Sequence, residues 1–167
     1  MSGYVWGFIA VFMIHEMEEV FGLPNWIKAH MPELCKKYPF IANAYMNCSS
    51  RRFTAAVYEE LLLYTAVCLF SELTGNNGAW FAMLAEFTFH LVVHLVFAVI
   101  VRGYIPSVAT AALMLPPCAF LIVRTLPLID LAGRDTLAAL IIFALLNPLN
   151  FVLLHRLFDR SSVHEKN

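Results

Sequence analysis

The chain has 167 residues, of which 60% are hydrophobic and only 14% charged, with a mean hydropathy of +0.71, against roughly 25% charged residues in ordinary soluble domains. That composition belongs in a lipid bilayer. A net charge of -1 without a basic tract excludes a nucleic-acid surface, and four cysteines, Cys35, Cys48, Cys68 and Cys118, with no CxxC pair among them, exclude a thiolate zinc site or a disulfide framework.

A membrane-spanning helix needs roughly 20 apolar residues, and the sequence predicts five, an all-α integral membrane bundle formed as one unit over residues 1–167. The first expected span runs from about Tyr4 to Leu23. It has no basic residue ahead of its apolar run and no small-residue cleavage site, which predicts a retained helix rather than a signal peptide. From 24 to 52 a connection rich in Pro, Lys, Asn and Ser is expected to be a loop carrying one short amphipathic helix, near Asn25 to Lys37, at the membrane interface. The second span is expected from Phe53 to Leu73, and after the tight turn TGNNGA the third runs from Ala79 to Val101. The fourth spans Tyr104 to Leu126 and the fifth Thr136 to Phe158, with kinks expected at Pro116-Pro117 and at Asn147-Pro148.

If five spans alternate across the bilayer, Lys28, Lys36, Lys37, Arg51, Arg52, Arg102, Arg156, Arg160 and Lys166 fall on one side and only Arg124 and Arg134 on the other. Basic residues accumulate in cytoplasmic loops, so the N-terminus is expected outside and the C-terminus in the cytoplasm.

Ionisable groups inside spans cost about 2.5 to 3.5 kcal/mol each on insertion scales and turn by default toward the bundle interior. His15, Glu18 and Glu19 recur at i, i+3 and i+4, which places them on one helix face with Glu16 turned away; Glu86, His90 and His94 do the same at i, i+4 and i+8. Counted from the cytoplasmic ends, His15, Glu60 and His94 all lie about 12 to 13 Å deep, and Asn147 and Asn150 at roughly 9 to 14 Å. Four spans thus bring polar groups to one level.

His15, Glu18, Glu19, Glu60, His90 and His94 are the candidate metal ligands. Glu86, Asn147, Asn150 and Tyr64 are expected beside them, and Glu19 and Glu59 are the candidate general bases. Imidazoles and carboxylates together are donors for Zn, Fe or Mn, as one ion or two, and a divalent cation offsets the desolvation of buried carboxylates. Each feature taken singly has a plainer explanation. HEMEE can surface at the interface, histidines four residues apart can hydrogen-bond across helices, and Asn147 and Asn150 can satisfy backbone freed by Pro148.

HEMEE, His15 to Glu19, has the form H-x-x-E-E. With the proline turn GLPNW after it, the later helix bearing HLVVH and the segment RGYIPSVAT, the chain resembles the HXXEE-domain family of small integral-membrane proteins. The resemblance implies a shared architecture and importance for His15, Glu18, Glu19 and a later histidine, and it supplies no reaction. Ser107 stands where the family pattern has glycine.

Three functions are open at this point. A membrane metalloenzyme, of zinc-hydrolase or di-iron type, would act on a lipid-like or apolar substrate from the cytoplasmic leaflet. A divalent-cation or proton-coupled transporter would use the same buried groups, with a homo-oligomer completing the path. A non-catalytic scaffold subunit would use them only to fix helix register.

Overall fold

The computed structural model describes residues 2–46 and 49–145. Five helices carry the architecture: α1 (Ser2–Lys37), the short α2 (Pro39–Tyr45), α3 (Ser50–Thr74), α4 (Gly78–Val101) and α5 (Val108–Thr125), the last running into a 3-10 turn at Leu126–Leu128. Residues 134–145 are also helical, and there is no strand among the described residues. The all-α expectation holds. The number of spans does not: among the described residues three helices are long and apolar enough to cross a membrane, Ser50–Thr74, Gly78–Val101 and Val108–Leu128, rather than five. In α1 the three carboxylates Glu16, Glu18 and Glu19 cut short the apolar run that starts near the N-terminus. The fifth expected span is helical as far as residue 145, and the remainder, with Asn147, Pro148 and Asn150, lies outside the described residues.

The connection expected from 24 to 52 is largely helix. α1 continues through Pro24 and Pro32 to Lys37, so it is about 54 Å long at 1.5 Å per residue. Each interior proline removes one backbone donor. The helix persists because its distal half has its own packing: Leu23 and Ile27 close on Ile105 of the α4–α5 linker, while Lys28, Glu33, Lys36 and Lys37 stay exposed. The amphipathic segment therefore exists as an extension of the first helix. The Tyr38 hydroxyl donates to the Ile100 carbonyl at 2.9 Å and ties the end of α1 to the end of α4.

The ends of α3 and α4 follow local rules. Ser49 caps α3 by accepting from the Arg52 amide, and Gly75 closes it in the left-handed region at φ 72. α5 runs unbroken through Pro116 and Pro117. Gly78 allows the 134–145 helix to approach: a Cβ there would fall 2.5 Å from Thr136 Oγ1.

α1 and α4 each pack along both α3 and α5, whereas their own backbones hardly touch. The four helices thus form a ring in which α1 and α4 stand diagonally opposite, and side chains from these two fill the centre. Toward the start of α1 the filling is aromatic. Phe8 meets Phe87 edge-on with centroids 5.4 Å apart, and Phe12 meets Tyr64 at 4.8 Å and Phe87 at 5.6 Å. Trp80, Met83, Leu84 and Leu91 are fully buried around them. Leu62, Leu73, Phe89, Val99, Leu113 and Val123 point outward and exposed, as lipid-facing residues do.

Candidate metal centre

One helical turn beyond Phe12 the filling changes from rings of carbon to rings of nitrogen. His15 is completely buried, and Glu16 and Glu19 are each 3% exposed. At 100° per residue positions 15, 16 and 19 share a broad face, so Glu16 points inward with its neighbours and not away from them. From the opposite helix His90 and His94 come up four residues apart. The His15 ring centroid lies 5.4 Å from that of His90 and 5.2 Å from that of His94, and His90 and His94 are 4.3 Å apart.

Ligand-type atoms of His15, Glu19, His90 and His94 all fall within 4.8 Å of one another. His94 Nε2 lies 2.8 Å from His90 Nε2 and 2.9 Å from Glu19 Oε1. The second is an ion-pair approach, His94 Nε2 being the one close neighbour of Glu19 Oε1, and His15 Nε2 is buried with no hydrogen-bond partner at all. Buried orphans of this kind cost about 1 to 3 kcal/mol each and call for an explanation. A cation supplies one. Around zinc with bonds of about 2.0 to 2.2 Å, tetrahedral ligand atoms stand roughly 3.3 Å apart, so the present spacing needs only small side-chain shifts to fit.

Glu18, the middle residue of the motif's acidic pair and histidine, is drawn elsewhere. One carboxylate oxygen accepts from the Tyr104 hydroxyl, and the other accepts from the Thr110 amide at 2.8 Å and the Thr110 hydroxyl at 2.6 Å. Thr110 Oγ1 also lies 3.0 Å from His15 Nδ1, and Ser107 Oγ lies 2.8 Å from His94 Nδ1. Both inner histidines are thus backed by a hydroxyl from the segment that opens α5.

Ser107 holds this place at φ 127, a backbone region that L residues rarely adopt and that costs about 1 to 3 kcal/mol. Serine thus occupies a turn whose backbone would suit glycine. Gly22 is needed on the facing side: a Cβ there would come 2.5 Å from Pro106 Cβ, so α1 and the linker could not close as they do.

Of the other sequence candidates, Glu60 and Glu86 are half-buried and Glu59 is exposed, and none of the three joins the group of four. Tyr64 donates to Glu86 Oε2 at 2.9 Å. Glu16, Glu60 and Glu86 interact electrostatically with one another, and Glu19 lies within reach of both Glu16 and Glu60, so a second polar region adjoins the first on the α3 side. Asn147 and Asn150 lie outside the described residues. Sequence reasoning missed Glu16, Tyr104 and Thr110. The one signal for Thr110 was a hydroxyl at the start of an apolar helix, four residues after a proline.

A family model described as a protein of unknown function with HXXEE motif matches residues 6–122. That interval contains every residue of the centre and of its hydroxyl backing. No curated protein and no solved structure matches the chain.

Proposed function

Since the chain belongs to the HXXEE family, we propose that the motif histidine and its second glutamate, with two histidines of α4, hold one divalent metal ion in the middle of a membrane-embedded bundle. The ion serves a metalloenzyme. The observation that carries this is His15 Nε2, buried without a partner, gathered within 4.8 Å of His90, His94 and a buried Glu19 whose Oε1 has only His94 Nε2 beside it at 2.9 Å. Three imidazoles and one carboxylate suit Zn, Fe or Mn. One ion is favoured over two because a single group of four is the candidate among the described residues.

Two arrangements follow from the donor count. His15, His90 and His94 would hold zinc, which would supply an activated water, with Glu19 free to take up its proton as general base. For iron or manganese, Glu19 would join the three histidines as a ligand. In either case the substrate is lipid-like or apolar. Lys36, Lys37, Arg51, Arg52 and Arg102 gather at the end of the bundle where α1 and α4 finish and α3 begins, which favours that end as the cytoplasmic one and entry of the substrate from the cytoplasmic leaflet.

A second reading, cation or proton-coupled transport, draws on Glu16, Glu60 and Glu86, which extend the polar centre toward α3. Buried carboxylate chains serve such carriers.

Elemental analysis of protein purified in detergent, before and after loading with Zn, Fe or Mn, separates these readings. Wild type should retain about one equivalent of metal, and His15→Ala and His94→Ala should lose it, while Glu60→Ala keeps it. Loss in Glu60→Ala would enlarge the ligand set to include α3. Rapid exchange with flux into proteoliposomes would favour the carrier, and wild type that holds no metal after loading would overturn the metalloenzyme and leave proton-coupled transport or the scaffold, which proton flux would separate.

A further inference from the structure

The first glutamate of the motif has no place among the four ligand atoms, yet it is the most heavily hydrogen-bonded carboxylate near them. Three donors converge on Glu18: the Tyr104 hydroxyl, the Thr110 amide and the Thr110 hydroxyl. A carboxylate accepting three hydrogen bonds has nothing left to donate, which settles where the Thr110 proton goes.

Thr110 Oγ1 has one hydrogen and two close neighbours that compete for it, Glu18 Oε2 at 2.6 Å and His15 Nδ1 at 3.0 Å. If the hydrogen pointed at His15, two lone pairs would face each other across 2.6 Å. It therefore goes to Glu18, and the Ser107 carbonyl, 3.4 Å away, is too far to win it. The lone pairs of Thr110 then face His15, so His15 Nδ1 must be the donor. A neutral imidazole carries one N–H. Its Nε2 is left as a bare lone pair, and that is the atom buried without a partner in the centre.

The way α5 begins supports this assignment independently. Ser107 occupies the N-cap position, where a serine side chain ordinarily accepts from an amide of the first turn, but its hydroxyl makes no cap hydrogen bond and lies against His94 Nδ1 instead. The amide left over, that of Thr110, is taken by Glu18 from another helix. An anion is favoured at a helix N-terminus, so the exchange stabilises Glu18 where it stands and frees Ser107 for the histidine.

We propose that Glu18 is a positioning residue that acts through Thr110 to hold His15 in the Nδ1–H tautomer, presenting Nε2 unprotonated to the metal. The purpose of the relay rests on the metal reading, but the tautomer itself does not. The motif's two adjacent glutamates thus divide the work, Glu19 facing the ion and Glu18 setting the histidine.

The test is nitrogen NMR of histidine-labelled protein in detergent without metal, together with Zn affinity, for wild type, Thr110→Val, Thr110→Ser and Glu18→Ala. In wild type His15 should be protonated at Nδ1 alone. Thr110→Val and Glu18→Ala should give a mixture or the opposite tautomer and weaken Zn binding by about 10- to 100-fold, as loss of an outer-shell partner typically does, and Thr110→Ser should restore both. A wild-type His15 protonated at Nε2, or a folded Thr110→Val with the tautomer unchanged, would overturn the proposal. If wild type shows the Nδ1–H form and binds no Zn, the metal reading fails while the relay stands.

Discussion

Two stretches of the same helix seam, one turn apart, handle burial in opposite ways. Phe8 and Phe12 close on Tyr64 and Phe87 by edge-to-face contacts, and every atom of those phenyl rings is content to be dry. His15 and Glu19 close on His90 and His94, leaving His15 Nε2 without a partner and Glu19 Oε1 with only His94 Nε2 beside it. The first region is satisfied by its own packing apart from Trp80 Nε1, a single buried donor without an acceptor. The second gathers several ligand-type atoms at one point, so stability and metal content should respond to mutation in different places.

The largest effect on folding should come from the aromatic side. Phe12→Ala leaves a cavity between α1, α3 and α4 and should lower stability by about 3 kcal/mol. Because lipid replaces much of the lost apolar contact in the unfolded reference, the cavity itself carries most of that figure. Unfolding in a denaturing detergent would measure it, and metal bound per folded molecule should stay at the wild-type value. A Phe12→Ala protein that is fully folded but metal-free would show that the two regions are not separable.

On the polar side the sign reverses. His90→Leu removes one member of a partly satisfied group, and His94 Nε2, now free of His90, can turn its proton to Glu19 Oε1, 2.9 Å away. The metal-free protein should then be as stable as wild type or more so by about 1 kcal/mol, since replacing a poorly satisfied polar group by carbon is often favourable. Metal binding should be abolished. A marked loss of metal-free stability would mean that the histidines hold the bundle together by themselves.

The same contrast accounts for what could be read from the sequence. Spacing by three and four placed His15 with Glu19 and His90 with His94, and equal depth brought the two helices together, because both follow from helix geometry alone. What depth cannot give is the angular order of the helices. α1 and α4 stand diagonally and own the centre, so Glu60 of α3, at the right depth, ends beside the group rather than in it. Glu16 was set aside by a strict i, i+3, i+4 rule, although a helix in the middle of a ring buries a wider arc. The number of spans was overcounted for a related reason: α1 is long enough, but its carboxylates face a polar centre in a helix otherwise made for lipid. Pro24 read as an end, since a proline usually is one; packing of Leu23 and Ile27 against Ile105 carried the helix past it. Tyr104 and Thr110 stood out only as part of the segment RGYIPSVAT, without a role, because their importance comes from a carboxylate some ninety residues away in the chain.

The smallest effect separates two neighbouring carboxylates. Glu59 and Glu60 are adjacent on α3, and a helix cannot turn both toward the same point. Glu60 is half-buried and within electrostatic reach of Glu19 and Glu86, whereas Glu59 is exposed. Glu59→Gln should leave metal content unchanged and shift stability by no more than about 0.5 kcal/mol, as surface changes usually do. Should metal content fall in Glu59→Gln, α3 must rotate on binding to bring Glu59 inward, and the boundary between the two regions of the seam would then move by a whole helix face.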